Sequence, residues 1–365
     1  PGTFPPGDVY GSGSPTGITY YENGSLPARY QGSLFSCEPA KRQIFRYVPK
    51  GEGAGYKLDR EVFLHRHGTD RMAGAFSDIL VSTDGALYVA DWYDPMVGGH
   101  GAADREHIGK IYRVAPKGFK PGRVKLNTAG DMLASSAHNV RFHGFRKFKK
   151  QGSSALPQVK QFLNHSNPWI AARAIWLLPH LGEEGIAELR KFAESNAGKD
   201  YRFRAAALRS ALRYDRVGLG WEFIELLSKD ESAHVRRIIL THLRDFSYEK
   251  KKEVLLDLIL AGSMEDRTYL EAVGLAADGV EDLLWADYCQ HRNISGAKDW
   301  DRQAHLLAWR LHGDSIVEQM VARMLLPEVS PGHRMELFDV HRCVRRRDRG
   351  NHRIHIGAGI RRTSL

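Results

Sequence analysis

FSDILVSTDGALYVADWYDP (Phe76–Pro95), then a polar stretch rich in Gly, His and Asp, then GKIYRVAPKG (Gly109–Gly118) decide how the chain is read. Ile79, Leu80 and Val81 lead into Thr83-Asp84-Gly85, and Leu87, Tyr88, Val89 and Ala90 leave it. Asp-Gly between apolar runs marks a hairpin, because that turn needs positive φ, which Gly adopts without strain. A third strand is expected at Ile111–Val114. Between the second and third strands lies a long loop, Asp91 to Lys110, carrying Asp91, Asp94, His100, Asp104, Glu106 and His107. Long loops on a sheet are where binding and chemistry concentrate.

The pattern occurs once earlier. GSLFSCEPAKRQIFRYVPKG (Gly32–Gly51) aligns with the later copy at an offset of 67 residues, IFRYVPKG against IYRVAPKG. Ile18–Tyr21, Ser33–Phe35, Gln43–Val48 and Val62–Leu64 are strand candidates, with a turn at Gly51–Gly55. Four-strand units that recur suggest β-propeller blades. A propeller needs about four or more. Residues 1–120 are therefore expected to be the last blades of a partial β-propeller, and the chain a fragment that lacks the earlier ones. Residues 121–130 are the expected linker.

From about Asp131 the period becomes helical. HNVRFHGFRKF (from His138), NPWIAARAIWLL (from Asn167), KDYRFRAAALRSAL (from Lys199) and SAHVRRIILTHL (from Ser232) align on Arg141, Arg173, Arg204 and Arg236, at spacings of 32, 31 and 32 residues. Asn167-Pro168 is an N-cap followed by an N1 proline. Ile170, Ala174, Leu177, Leu178 and Leu181 share one helical face. Second helices are expected at Leu156–Leu163, Gly185–Ala193, Trp221–Leu227 and Glu253–Leu260. Two helices every 32 residues describe an α-solenoid of HEAT-like pairs over residues 131–340. The repeated arginines are expected to bond carbonyls or acids of the neighbouring repeat. The period fails near His341, and residues 341–365 read as a basic irregular tail, disordered or shifted in frame.

Composition narrows the classes. Net charge is +10, but the tail from His341 holds eight arginines against one aspartate, leaving only about +3 elsewhere. A general nucleic-acid field is not expected. Three cysteines far apart give neither a disulfide framework nor a metal spacing, and no C-x-x-C-H occurs. No run of 18 apolar residues is present. G-x-S-x-G, P-loop, H-E-x-x-H and dinucleotide fingerprints are also missing, which argues against familiar hydrolases, P-loop NTPases and NAD enzymes.

Three clusters could carry chemistry. In the Asp91–His107 loop, the carboxylates suit calcium and the imidazoles a base or transition-metal ligand. Its structural alternative is a capped strand end with Trp92 packed. Arg60, His65, His67, Asp70 and Arg71 form a second polar group, with His67 a candidate base for sugar oxidation or simply part of an exposed edge strand. RFHGFRKFKK (Arg141–Lys150) interleaves aromatics and cations as nucleic-acid binders do. Its Phe142, Phe145 and Phe148 are expected instead to form one packed stripe.

The stretches Ser14–Pro39, Phe76–Gly118 and DRTYLEAVGLAADG (Asp266–Gly279) resemble a planctomycete-type family. Its members are large membrane-bound dehydrogenase or haem-binding CxxCH proteins, with a glucose/sorbosone dehydrogenase-like propeller, HEAT-like helices and usually a cytochrome c domain. The resemblance covers about residues 14–335 and fails at the tail. It implies a periplasmic or cell-envelope oxidoreductase that oxidises a sugar or polyol and passes electrons to a c-type cytochrome whose domain this chain lacks. Calcium and pyrroloquinoline quinone follow only by analogy. Within that reading His100, His67 and Asp91 are the catalytic candidates, and Asp91 and Asp94 the calcium ligands. The alternative is a non-catalytic scaffold that binds protein or polysaccharide.

Overall fold

The computed structural model describes residues 2–66, 75–92, 109–121, 124–214 and 218–338. They divide into two compact units, Pro5–Ile239 and Leu240–Leu365 with Pro1–Phe4.

The larger unit begins with seven strands. β1 (Ile18–Tyr21), β2 (Ser33–Glu38), β3 (Gln43–Glu52) and β4 (Gly55–His65) form a four-stranded antiparallel sheet in chain order. β5 (Phe76–Val81), β6 (Leu87–Asp91) and β7 (Lys110–Val114) form a three-stranded one. Alternation drives both. In β2 the side chains of Ser33, Phe35 and Cys37 are buried while Leu34 and Ser36 are less so. The Asp84-Gly85 turn joins β5 to β6 as expected, with Gly85 at φ +78°.

The expectation of propeller blades is overturned. The seven strands make two small sheets that are not curled into blades, and no propeller closes. Instead the sheets share one core, with Tyr21, Phe35, Cys37 and Ile44 from the first and Phe76, Ile79, Val81, Leu87 and Val89 from the second. The two copies of the repeated octapeptide also play different parts. Ile44–Gly51 lies within β3, Ile44–Tyr47 paired on both sides, and Ile44 is fully buried. Ile111–Val114 is β7, at the end of its sheet, and Ile111 is 76% exposed. Likeness of sequence here reflects a shared strand propensity, not a shared place in a repeat.

Helices follow. α1 (Ala129–Leu133), α2 (His138–Gln151), α3 (Leu156–Leu163), α4 (Pro168–Leu177), α5 (Gly182–Ser195), α6 (Tyr201–Arg213) and α7 (Leu219–Leu227) precede α8 (Ala233–Leu243), within which the larger unit ends. The region is repeat-like. Asn167 caps α4, its Oδ1 accepting from the Trp169 and Ile170 amides at 3.0 and 3.2 Å. Ile170, Ala174, Leu177, Leu178 and Leu181 are all buried. Gly144 lets α2 approach α1, because a Cβ there would lie 2.5 Å from the Leu133 nitrogen. The linker expected at residues 121–130 falls inside this unit, since sheet and helices are bonded together.

The second unit holds α9 (Tyr248–Ala261), α10 (Arg267–Ala276), α11 (Glu281–Arg292), α12 (Arg302–Leu311), α13 (Asp314–Met324) and helical residues 331–338. Its buried Glu271 accepts from Arg310 Nε at 2.5 Å and from Arg267. No helix among the described residues is long and apolar enough to cross a membrane.

Candidate functional site

The strand-to-turn exit of β1 organises the site. Glu22, Asn23 and Gly24 follow Tyr21 directly. The Tyr21 hydroxyl donates to the Gly85 carbonyl at 2.9 Å and accepts from the Leu26 amide at 2.8 Å. The Ser25 amide also donates to the Gly85 carbonyl at 3.0 Å. The β1–β2 loop is thereby fastened to the β5–β6 turn. Only glycine tolerates that closeness: a Cβ on Gly85 would sit 2.4 Å from the Ser25 nitrogen.

The helices lock onto the same loop. Glu22 Oε2 accepts from Arg141 Nη1 at 2.5 Å, and from Arg173 Nη2 and Nε at 2.5 and 3.1 Å. Arg173 also donates to Asn23 Oδ1 and to the Leu133 and Ser135 carbonyls. Asn23 Nδ2 donates to the Ala134 carbonyl at 3.0 Å. Burial and the neighbouring Arg173 charge lower the Arg141 pKa, and Glu22 opposes them. A half-buried cation of this kind relies on its counter-charge.

These contacts frame an open cleft of about 530 Å³. One wall is Asn23, Gly24 and Gln31, another is Thr83–Gly85, and the third is Val124, Lys125, Asp131 and Ala134–Ser136. Ser136 Oγ donates to the Ser82 carbonyl at 2.6 Å and ties the third wall to the second. Asp84 accepts from Arg113 at 2.6 Å, from Ser82 Oγ at 2.9 Å and from the Ala86 amide at 3.0 Å. Burial alone would raise its carboxyl, but the Ala86 amide, Arg113 and Ser82 outweigh that and hold it below the usual carboxylate range. Asp131 completes a capping box with Thr128, whose hydroxyl and amide hold its carboxyl low. Both acids are committed to structure. Gln31, Thr83 and Lys125 offer the side-chain groups that remain for a ligand.

Of the residues singled out from sequence, Asp91, Arg60 and His65 do not line this cleft. Asp91 ends β6, is buried, and accepts from the Tyr112 hydroxyl at 3.2 Å. His100, His67 and Asp94 lie outside the described residues, as do Asp70, Arg71, Asp104, Glu106 and His107. Among the described residues no group of three or more His, Cys, Asp or Glu is arranged to hold a metal. Arg60 pairs with Asp8 at 2.9 Å and covers the rings of Tyr10 and Phe45, a packing role. His65 is exposed at the end of β4, its Nδ1 2.9 Å from the Arg66 carbonyl oxygen.

The phenylalanine stripe is also corrected. Phe148 is fully buried, Phe145 meets the His180 ring at 5.3 Å, and Phe142 is 58% exposed. A spacing of three residues falls about 60° short of a full turn at each step, so the run drifts off the buried face. The arginine expectation holds in part: each of the four bonds an acid or a carbonyl, but Arg141 takes Glu22 of the β1–β2 loop and not a group of a neighbouring repeat. Glu22 and Asn23 escaped sequence reading. The available signal was an acid and an Asn-Gly placed just after a half-buried strand, with Arg141 and Arg173 in need of an acid.

Residues 7–118 match the family model described as a domain of unknown function, DUF7133. That span contains all seven strands and stops before the first helix. No curated protein and no solved structure matches the chain.

Proposed function

We propose that the chain is a binding module for polyhydroxylated ligands, a non-catalytic scaffold in which sheet and helices together hold a saccharide. The cleft beside Gly85 carries this reading. Ligand pockets are mostly apolar. This one is walled by amide, hydroxyl, carboxylate, ammonium and backbone groups, with Val124 and Ala134 its apolar exceptions. Such a wall matches ligand hydroxyls and offers little to an apolar molecule. Calorimetric titration of the chain with neutral oligosaccharides tests it. Gln31→Ala and Lys125→Ala are each expected to weaken binding about three- to tenfold, the worth of one hydrogen bond. Binding that ignores both substitutions, or no binding to any saccharide tried, rejects the cleft.

A second reading draws on Asp91. A buried carboxylate at the root of residues 93–108 is where an oxidoreductase acting on a sugar or polyol would place a charged group. In that reading His100 and His67 serve as bases, Asp91 and Asp94 hold calcium, and a quinone cofactor and a c-type cytochrome take the electrons. Dye-linked oxidation, with Asp91→Asn as the variant, tests it separately. Turnover that falls at least tenfold in that variant while saccharide titration is unchanged favours it; no turnover leaves the binding module.

A further inference from the structure

The basic run on α2 has a use that its packing does not absorb. At 100° per residue, Phe142, Arg146, Lys149 and Lys150 fall within about 100° of arc, with Lys147 beside them. All five are exposed. Arg141, Gly144, Phe145 and Phe148 occupy the other side, buried or half-buried toward the fold. α2 contains no acidic residue. Among the described residues, Arg146, Lys147, Lys149 and Lys150 form no ion pair, whereas Arg141, Arg173, Arg190, Arg202 and Arg204 of the same unit all do. The Lys149 charge is also felt behind the face, where burial first and Lys149 second lower the His180 pKa. Phe142 stands at the N-terminal end of the cations, with the Arg146 guanidinium 6.0 Å from its ring centroid.

We infer that this face of α2 docks on an anionic lipid surface. Four uncompensated cations in two turns supply the attraction, at roughly 1 kcal/mol each near such a surface. The exposed phenylalanine supplies the apolar contact that an interfacial helix places among headgroups. A base-stacking platform would need several free rings, and with Phe148 buried and Phe145 half-buried against His180, α2 leaves one phenylalanine ring free. A lone ring flanked by lysines on a convex helix face suits a plane better than a groove.

The test is co-sedimentation of the whole chain with vesicles of phosphatidylcholine alone or mixed with phosphatidylglycerol, at low and at physiological salt. Binding is expected only with phosphatidylglycerol, and weaker at the higher salt. Lys149→Gln with Lys150→Gln should lower affinity about thirty-fold. Phe142→Ser should cost less and leave the salt dependence unchanged. Circular dichroism checks that the exposed substitutions leave the fold intact. Vesicle binding that ignores the double substitution would come from the arginine-rich tail and would overturn the inference. So would equal affinity for duplex DNA with the same dependence on Lys149 and Lys150, which would make the face a general phosphate reader.

Discussion

Arg141 and Arg173 occupy the same repeat position as Arg204 and Arg236, yet the two pairs meet different partners. The first pair converges on one carboxylate, Glu22, from outside the helices. The second converges on the loop between α7 and α8. Arg204 takes both oxygens of Asp230 at 2.6 and 2.9 Å, Glu231 at 3.3 Å, and the Asn196 and Lys199 carbonyls. Arg236 takes the Asp230 and Glu231 carbonyls at 2.6 and 3.0 Å. The later node therefore sets two acids against Arg204, with Arg236 on their backbone carbonyls. The earlier one sets one acid against two arginines. A repeated arginine works as an adaptor, bonding whatever acidic turn lies at the end of its helix. For the first two repeats that turn belongs to the sheet.

The largest test of this contrast is Arg204→Ala. The Arg204 and Asp230 side chains are 2% and 3% exposed. Removing the arginine strands a buried carboxylate, which costs about 3–5 kcal/mol. Urea unfolding of the variant should show that loss in midpoint. A loss below about 1 kcal/mol would mean that Asp230 finds water or another donor, and the node is not the tie that its geometry describes.

Glu22→Gln should come next. It leaves two guanidiniums close together with a neutral amide between them, in a setting only 11–19% exposed. A loss of about 1.5–3 kcal/mol is expected, the range for a hydrogen bond to a charged group. The informative companion is Arg141→Ala in both backgrounds. In the native chain it should cost about 1 kcal/mol, since Arg141 donates a single bond to Glu22. In Glu22→Gln it should cost nothing or stabilise, because it removes like-charge repulsion. Additive effects in that double-mutant cycle would deny the shared node.

The same contrast explains what was legible in the sequence. Local rules were readable. The Asp84-Gly85 turn, the Asn167 cap and the apolar face from Ile170 to Leu181 follow from spacing and side-chain type, and α3 spans the expected residues. The arginine spacing announced bonds to acids or carbonyls, which all four make, but not that Arg141 and Arg173 would take theirs from a loop of the sheet. Partners across long sequence separation were not readable. Glu22 reaches its arginines across 119 and 151 residues, and no period in either segment refers to the other. The propeller expectation failed for the same reason. IFRYVPKG and IYRVAPKG are both good strand peptides, but which becomes an inner strand and which an end strand depends on neighbours far along the chain. The cleft was invisible because its walls come from three separated segments, and Asn23-Gly24-Ser25 is ordinary in isolation. Of the catalytic and calcium candidates only Asp91 lies among the described residues, and the Tyr112 hydroxyl donates to it.

An acid–base pair outside both nodes gives the smallest and cleanest control. Asp84 and Arg113 fix the β5–β6 turn to β7, with side chains 13% and 31% exposed. The folded-state carboxyl of Asp84 lies below its ordinary value of about 4. Its contribution is thus present at pH above that value and is lost as pH falls through the lowered one. Asp84→Asn should remove this part of the acid dependence, leaving the difference from the native chain largest near neutrality and closing toward pH 2. The partly exposed partner keeps the size to about 1 kcal/mol or less. Arg204→Ala is set apart by size, because it leaves the buried Asp230 carboxylate without its cation. Equal losses at neutral pH in the two variants would show that the buried node and the more exposed pair contribute alike, and the distinction between them would fail.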